Sequence, residues 1–496
     1  MGHLANSCEP TRARVRRIMG LETEYGLTAV ADGRRALGPG ELARYLFRPV
    51  VEKYASSNVF IPNGARLYLD VGAHPEYATA ECDVLSQLVA QQSAGDRILD
   101  EMARAAEEAL NKDGIAGAVY LLKNNVDSVG NSYGCHENYL VGREAVLKSL
   151  GRRLMAFLVT RQLVCGAGRI VPTRGGTPAQ FVLSQRADQV LESVSSATTR
   201  SRPVINTRDE PHADSHRFRR MHVIVGDSNM AEPSTALKVG SMLLLLEMIE
   251  AGFELPDVEL ERPVVQGRDI ARDLTGTRQL QGADGTTTCA LDVQRGYADA
   301  AALWLEVRPE NTGGTSTEEM ARVVELWQRV LGAIAEEDFA AIAGEIDWAA
   351  KLKLIKAFDQ RLGAGGDLSH PKLGQLDLAY HDIRAGRGLA GVLESRGRLS
   401  RWVSDVAVER ARTSPPRTTR AHARGAFLAR AERAGAAVAA DWSHVKVNRP
   451  EPQTWSLDDP FVAEPAELAE MLAAVDAATP GAGACAAAQR GAENGD

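Results

Sequence analysis

The sequence predicts an α+β fold: a largely antiparallel sheet flanked by helices, followed by a small C-terminal domain. Three observations predict it. Short segments at 18–30, 58–62, 66–71, 118–123 and 220–226 read as strands, whereas longer segments with helical periodicity take over later in the chain. Within Arg66-Leu-Tyr-Leu-Asp70 polar and apolar residues alternate, the pattern of a strand with one wet face. No Gly-x-x-x-x-Gly-Lys-Ser/Thr run is present, so a P-loop on a parallel sheet is not expected.

The elements follow in order. Residues 1–17 are polar, end in a basic stretch and lack an apolar h-region, so they read as a flexible arm and not as a secretory signal. Residues 18–30 form the first strand. Residues 95–112 form an amphipathic helix, with Ile98, Met102, Ala105, Ala106 and Ala109 on one stripe and Gly114 near its end. Residues 235–252 are apolar enough for a mostly buried helix, and 317–361 read as helical with few breakers. Near residue 400 the character changes. Ser404 to Arg424 is rich in Arg and Thr and contains Pro415-Pro416. Residues 418–440 read as an Ala-rich helix, and 441–448 alternate like a strand. The expected organisation is an arm at 1–17, a large domain at 18–400, a small domain at 401–477 and a disordered Ala/Gly-rich tail at 478–496.

At 496 residues the chain can bury a large core. Its net charge of −8 argues against a nucleic-acid binder. No apolar run spans a membrane; Met242–Ile249 is too short. The six cysteines are scattered and form no Cys-x-x-Cys pair, which fits a reduced cytoplasmic protein. Cys135 adjoins His136, but neighbours on a strand face opposite ways, so the two do not form a nucleophile and its base.

Chemistry concentrates in two places. On a strand, Arg66, Tyr68 and Asp70 share one face, presenting a cation, a phenol and a carboxylate. In Arg17-Ile-Met-Gly-Leu-Glu-Thr-Glu-Tyr-Gly26, Glu22 and Glu24 also point the same way, and two aligned carboxylates repel unless a cation lies between them. Hard oxygen donors of this kind suit Mg²⁺, with Glu76 and Glu81 able to complete the set. The competing reading is an amphipathic edge strand with an ordinary Arg66–Asp70 ion pair and a solvated Glu-x-Glu pair. His222 on its strand fits a satisfied core histidine as well as a ligand.

The chain resembles the Pup ligase family, the proteasome accessory factor A ligases within the glutamine-synthetase-like carboxylate–amine ligases. The resemblance runs from about Arg16 to about Phe461. It is carried by Ile18-Met-Gly-Leu-Glu-Thr-Glu-Tyr-Gly26, Ser56-Ser-Asn-Val-Phe60, Asn63 to Asp83, Lys123-Asn-Asn-Val-Asp127 and Asn131 to Tyr139. Leu183-Ser-Gln-Arg186, Ser195 to Pro203, Ile205 to Asp214 and His222 to Met230 complete it. It implies a glutamine-synthetase-like large domain and ATP-dependent isopeptide formation with Mg²⁺. ATP phosphorylates the γ-carboxylate of the C-terminal glutamate of Pup, a ubiquitin-like modifier. A lysine of a target protein then attacks, marking the target for proteasomal degradation. By the same resemblance Asp70 is the catalytic base, Glu22, Tyr68 and Glu76 hold Mg²⁺, and Arg66, Thr79 and Trp442 contact the nucleotide. Glu24, His136 and His222 are further candidates for metal or phosphate. Arg186, Arg200, Arg202 and Arg208 are candidates to clamp the transferred phosphate.

The sister family deamidates Pup and hydrolyses its conjugates, but carries a longer insertion before the aspartate strand; here only 48 positions separate Glu22 from Asp70. Leu69-Asp-Val-Gly72 and Ala78-Thr-Ala-Glu-Cys-Asp83 also take the ligase form. An inactive Pup-binding homologue is disfavoured because every principal site position is filled as the family pattern requires.

Overall fold

The computed structural model describes residues 15–478 apart from 71, 128–129, 145–146, 174, 196–201, 207–209 and 310–312, and apart from the side chains of 147–149. The expected arm and tail therefore lie almost wholly outside the described residues. The α+β architecture is observed. Its centre is an eight-stranded sheet in the order Glu192–Ser195, Pro203–Asn206, Phe218–Val223, Cys135–Gly142, Met19–Glu24, His74–Ala78, Arg66–Asp70, Asn58–Phe60. Every neighbouring pair is antiparallel except the first, which is parallel.

Alternation along these strands gives the sheet two unlike faces. Met19, Leu21, Tyr139, Val141, Met221 and Val223 are buried in the main core. Against that core pack the helices Leu85–Lys112 and Glu232–Ala251. The second of these is buried continuously from Glu232 to Met248, because protein surrounds it on all sides. Further helices, among them Ala290–Val307, Thr317–Ala335 and Asp347–Leu362, extend the core around Trp327 and Trp348. The opposite face of the sheet carries polar residues and forms the site described below.

Four expected elements have different bounds. The segment 18–30 is two strands: Met19–Glu24 stays in the large sheet, and Gly26–Ala31 pairs with Ala118–Leu122 in a separate small sheet. Tyr25 marks the crossing; it is fully buried and its hydroxyl donates to Asp96 at 2.6 Å. The helix expected at 95–112 begins ten residues earlier, because Gln91 and Gln92 are buried and hydrogen-bonded in place of apolar residues. Gly95 lies where that extension meets the expected helix. A Cβ there would stand 2.4 Å from the Tyr77 ring, so the close helix–sheet approach requires glycine. The helical stretch 317–361 is broken between Ala335 and Asp347, where Glu337 takes a left-handed φ of 54°. The helix expected at 418–440 runs only Ala421–Ala434; Gly435 ends it and Val438–Ala440 is a strand.

That strand joins His444–Val447 and Gln453–Ser456 in a three-stranded sheet. Together with the helices Ala421–Ala434 and Leu468–Ala477 it buries a core of its own, to which Phe60 of the large sheet contributes. The helix Asp405–Thr413 instead places Val408 and Ala411 in the main core. Among the described residues no helix is long and apolar enough to cross a membrane.

Candidate active site

The strand register assembles the polar face. Glu22 pairs across with His136 on one side and Ala78 on the other; Glu24 pairs with Glu76, Glu76 with Tyr68, Asp70 with His74, and Asn138 with His222. Directly opposed residues of a sheet share a face, so five strands deliver their chemistry to one surface.

Two clusters result. In the first, ligand atoms of Glu22, His136 and His222 lie within 4.8 Å of one another. Glu22 Oε2 is 3.2 Å from His136 Nδ1 and 3.7 Å from His222 Nε2; Glu22 Oε1 accepts from Asn138 Nδ2 at 3.1 Å. Burial raises the Glu22 pKa, but the His136 hydrogen bond and the nearby His222, His136 and Arg220 charges outweigh it and hold the carboxyl below the usual range. Burial pushes the His222 imidazole down to about 3, so the ring is neutral and offers a lone pair. Its Nε2 is buried with no hydrogen-bond partner.

In the second cluster, carboxylate oxygens of Glu24, Asp70 and Glu76 meet the same 4.8 Å limit. Burial, then the charges of Glu22 and Glu24, push Glu76 well above the ordinary carboxylate value. Glu24 is also buried but is held low by His74, whose Nδ1 lies 3.4 Å away. The Tyr68 hydroxyl donates to Glu76 Oε1. Burial and the Glu22 and Glu76 charges raise the Tyr68 pKa, so it remains a phenol with only lone pairs to offer a cation.

Beside the first cluster opens a cleft of about 580 Å³, lined by Glu22, Thr79, Asn138, His212, Arg220, Arg420 and Trp442 among others. Sheet and C-terminal segment meet around it. Trp442 packs edge-on against Phe60 at 4.8 Å, and its ring lies 6.3 Å from that of His212. Thr79 is buried and its hydroxyl accepts from the Leu21 amide at 3.1 Å.

The structure thus brings Glu22, Thr79 and Trp442 together at the cleft, and Asp70, Tyr68 and Glu76 together beside it. Of the three expected metal ligands, Tyr68 and Glu76 are hydrogen-bonded to each other, and the Glu22 charge is near enough to raise the pKa of both. Glu24, His136 and His222, the further candidates for metal or phosphate, complete the two clusters. Arg66 is absent from the cleft lining. Its guanidinium stacks on Tyr68 at 4.4 Å and donates to Asn58 Oδ1 at 2.8 Å, and no Arg66–Asp70 ion pair forms. Glu81 is no metal ligand here, because both its oxygens are engaged by Arg420 and Arg424. Cys135 faces away from His136, toward Lys238 Nζ at 3.6 Å. Of the four candidate phosphate clamps, Arg200 and Arg208 lie outside the described residues. Arg186 is buried and donates to the Tyr133 carbonyl, and Arg202 donates to Gln189 at 3.0 Å; neither lines the cleft. Asn138, His212 and Arg420 were not singled out from sequence, and Arg220 stood out only as one of a run of arginines between Arg200 and Arg220 that the family resemblance places in part near phosphate. The same alternation that joins Glu22 to Glu24 would have found Asn138 two residues after His136 and Arg220 two before His222.

The sequence model of the Pup-ligase protein family matches residues 17–446. The chain belongs to the Pup-ligase family. Among this family's members it is 60% identical over 458 residues to the Pup–protein ligase of Corynebacterium aurimucosum, covering 92% of this chain and 96% of that one. It is 50% identical over 460 residues to the Pup–protein ligase of Mycolicibacterium vanbaalenii, covering 93% and 100%. The fold agrees with a crystal structure of the complex between Pup and its ligase PafA, at a TM-score of 0.90 and 57% identity, over 94% of this chain and 93% of that one. It agrees also with a structure of the Pup ligase PafA in complex with ADP, at a TM-score of 0.82 and 59% identity, over 94% and 99%. In this Pup-ligase-family chain the two clusters and the cleft lie side by side on one sheet face.

Proposed function

We propose that this chain is an ATP-dependent Pup–protein ligase, joining the C-terminal glutamate of Pup to lysine side chains of target proteins. The observation that carries the reading is the agreement over nearly the whole chain with ligases described in complex with Pup and with ADP.

The chemistry has two demands. A carboxylate is a poor acyl donor, and a lysine at neutral pH is nearly all protonated. Transfer of the γ-phosphoryl of ATP to the glutamate γ-carboxylate makes an acyl phosphate and ADP. Attack by the amine on that carbonyl forms the amide and expels phosphate, and the ammonium must lose its proton on the way. Asp70 is assigned as the acceptor of that proton. Its place at the end of the Arg66–Asp70 strand, where it is partly exposed, supports the role. Trp442 and Thr79 are assigned to the nucleotide because both line the cleft that ends at Glu22. Arg66 is assigned to the nucleotide from the family resemblance alone.

Mg²⁺ is part of the proposal, and the residues fit it. Glu22, Tyr68 and Glu76 are assigned to it from the family resemblance: Tyr68 meets Glu76 directly, the Glu22 charge acts on both, and Glu24 and Asp70 add further hard oxygens beside Glu76. Glu22, His136 and the orphaned Nε2 of His222 would hold a second cation. When bound, such cations neutralise the charge of nucleotide and acyl phosphates. A cytoplasmic location belongs to the proposal too, supported by free thiols at Cys82, Cys135, Cys165 and Cys289. The division into a catalytic unit at 18–400 and a small unit at 401–477 is likewise proposed, with the separate core of the small unit supporting it from Ala421 onward.

The test is incubation with Pup ending in glutamate, ATP, Mg²⁺ and a lysine-bearing protein, read by mass. Conjugate, with ADP and phosphate released in step, is expected, and deamidation of Pup ending in glutamine should be slow. The chain between Glu22 and Asp70 is occupied by the strand Gly26–Ala31, the helix Pro39–Tyr54 and the strand Asn58–Phe60, which leaves no long insertion to favour the sister activity. Deamidation at a rate rivalling conjugation would overturn the ligase reading.

A further inference from the structure

Arg220 sits at the seam between the cleft and the Glu22 cluster. It lines the cleft beside Glu22, Thr79, His212 and Trp442. One terminal nitrogen donates to Asn138 Oδ1 at 2.9 Å, and Nε donates to the Glu210 carbonyl at 3.0 Å. The Asn138 amide donates onward to Glu22 Oε1 at 3.1 Å. Two guanidiniums line this cleft, and their commitments differ. Arg420 is consumed by Glu81 at 2.8 Å, by the Leu457 carbonyl at 2.9 Å and by the His212 carbonyl at 2.6 Å. Arg220 has one carboxylate within 4 Å among the described residues, Glu22, and that stands 3.7 Å away.

We propose that Arg220 binds the phosphate groups of the nucleotide and, through Asn138, holds the Glu22 carboxylate in register with them. The inference deepens the ligase reading and rests on it. A nucleotide whose base lies against Trp442 and His212 must run its phosphates toward Glu22, and two anions meeting there repel. A fixed cation between them removes that repulsion. A guanidinium suits the task because it never loses its charge and offers a planar fork of donors. Asn138 and the Glu210 carbonyl already fix its plane, so little further freedom is lost when phosphate arrives.

The experiment compares ADP, AMP and adenosine as competitors of a fluorescent ADP analogue on the full-length chain and on Arg220→Gln and Arg220→Lys. Arg220→Gln is expected to weaken ADP about tenfold to a hundredfold, the weight of a charge-assisted hydrogen bond, and to leave adenosine unchanged. Arg220→Lys, which keeps the charge but not the fork, should fall between. Equal losses for ADP and adenosine in both variants would mean that Arg220 only supports the cleft wall, and would overturn the assignment. ADP binding unaltered in Arg220→Gln would overturn it as well. Failure of the unsubstituted chain to bind ADP would instead remove the ligase reading beneath it.

Discussion

Glu22 Oε2 lies 3.2 Å from His136 Nδ1 across an antiparallel strand pair, although the two residues are 114 positions apart in sequence. That contact, with Asn138 and His222 beside it, draws Glu22 into a mixed nitrogen–oxygen cluster. Glu76, on the next strand but turned toward Glu24 and Asp70, belongs to an all-carboxylate cluster. The two glutamates keep different carboxylate and imidazole neighbours, and their substitutions are expected to have separable consequences.

Glu76→Gln should weaken the response to Mg²⁺ by loss of one anionic donor. The Mg²⁺ concentration for half-maximal conjugation is expected to rise about tenfold or more. Because three carboxylates crowd together without a cation, the same variant should not be less stable than the parent in chelator. A titration of activity against Mg²⁺, with melting curves in chelator, checks both; an unshifted titration places the cation elsewhere.

Asp70→Asn preserves shape and removes the proton acceptor. Conjugation should fall by about a hundredfold or more, while ADP affinity stays within a factor of a few, since Asp70 is outside the cleft lining. Measured conjugate yield close to that of the parent would end the assignment.

Trp442→Ala should weaken ADP by about tenfold, as loss of a base-stacking surface does, and leave the response to Mg²⁺ at saturating nucleotide unchanged. Equilibrium binding of ADP reads it. An unaltered affinity would mean that the ring serves only its edge-on packing with Phe60.

Glu81 ties the C-terminal unit to the sheet. Burial raises its pKa, but Arg424 and Arg420 outweigh burial and hold it down at about 2 instead of 4.5. A carboxylate with a depressed folded pKa stabilises fully above the unfolded value and loses that stabilisation as pH falls. About 3 kcal/mol should therefore disappear between pH 4.5 and about 2. Glu81→Gln leaves two buried guanidiniums unpaired and should cost about 3–5 kcal/mol at neutral pH. Denaturant melts of both proteins across pH 2–7 should converge toward the acid end; a constant gap would contradict the linkage.

By itself the sequence determined which residues share a face and what chemistry that face carries. Alternation is local, so Arg66, Tyr68 and Asp70, and likewise Glu22 and Glu24, could be grouped without knowing any neighbour. It also exposed the family through long ordered matches, and the buried helix near 235–252 through its high apolar content. Tertiary structure alone decided which strands lie side by side, because pairing and register are long-range choices made by burial of the opposite face. Only that choice placed His136 and His222 against Glu22, set Glu76 beside Glu24 and Asp70, and brought Arg220 and Trp442 to one cleft. It also decided what propensity left open. Glu81 reads as a ligand until Arg420 and Arg424, more than 300 residues away, arrive to neutralise it. The helix break after Ala335 turns at Glu336 and Glu337, with its one glycine, Gly344, only near the start of the next helix, so the local signal was weak. Local periodicity fixes direction of side chains; distance between segments is set by the packed core.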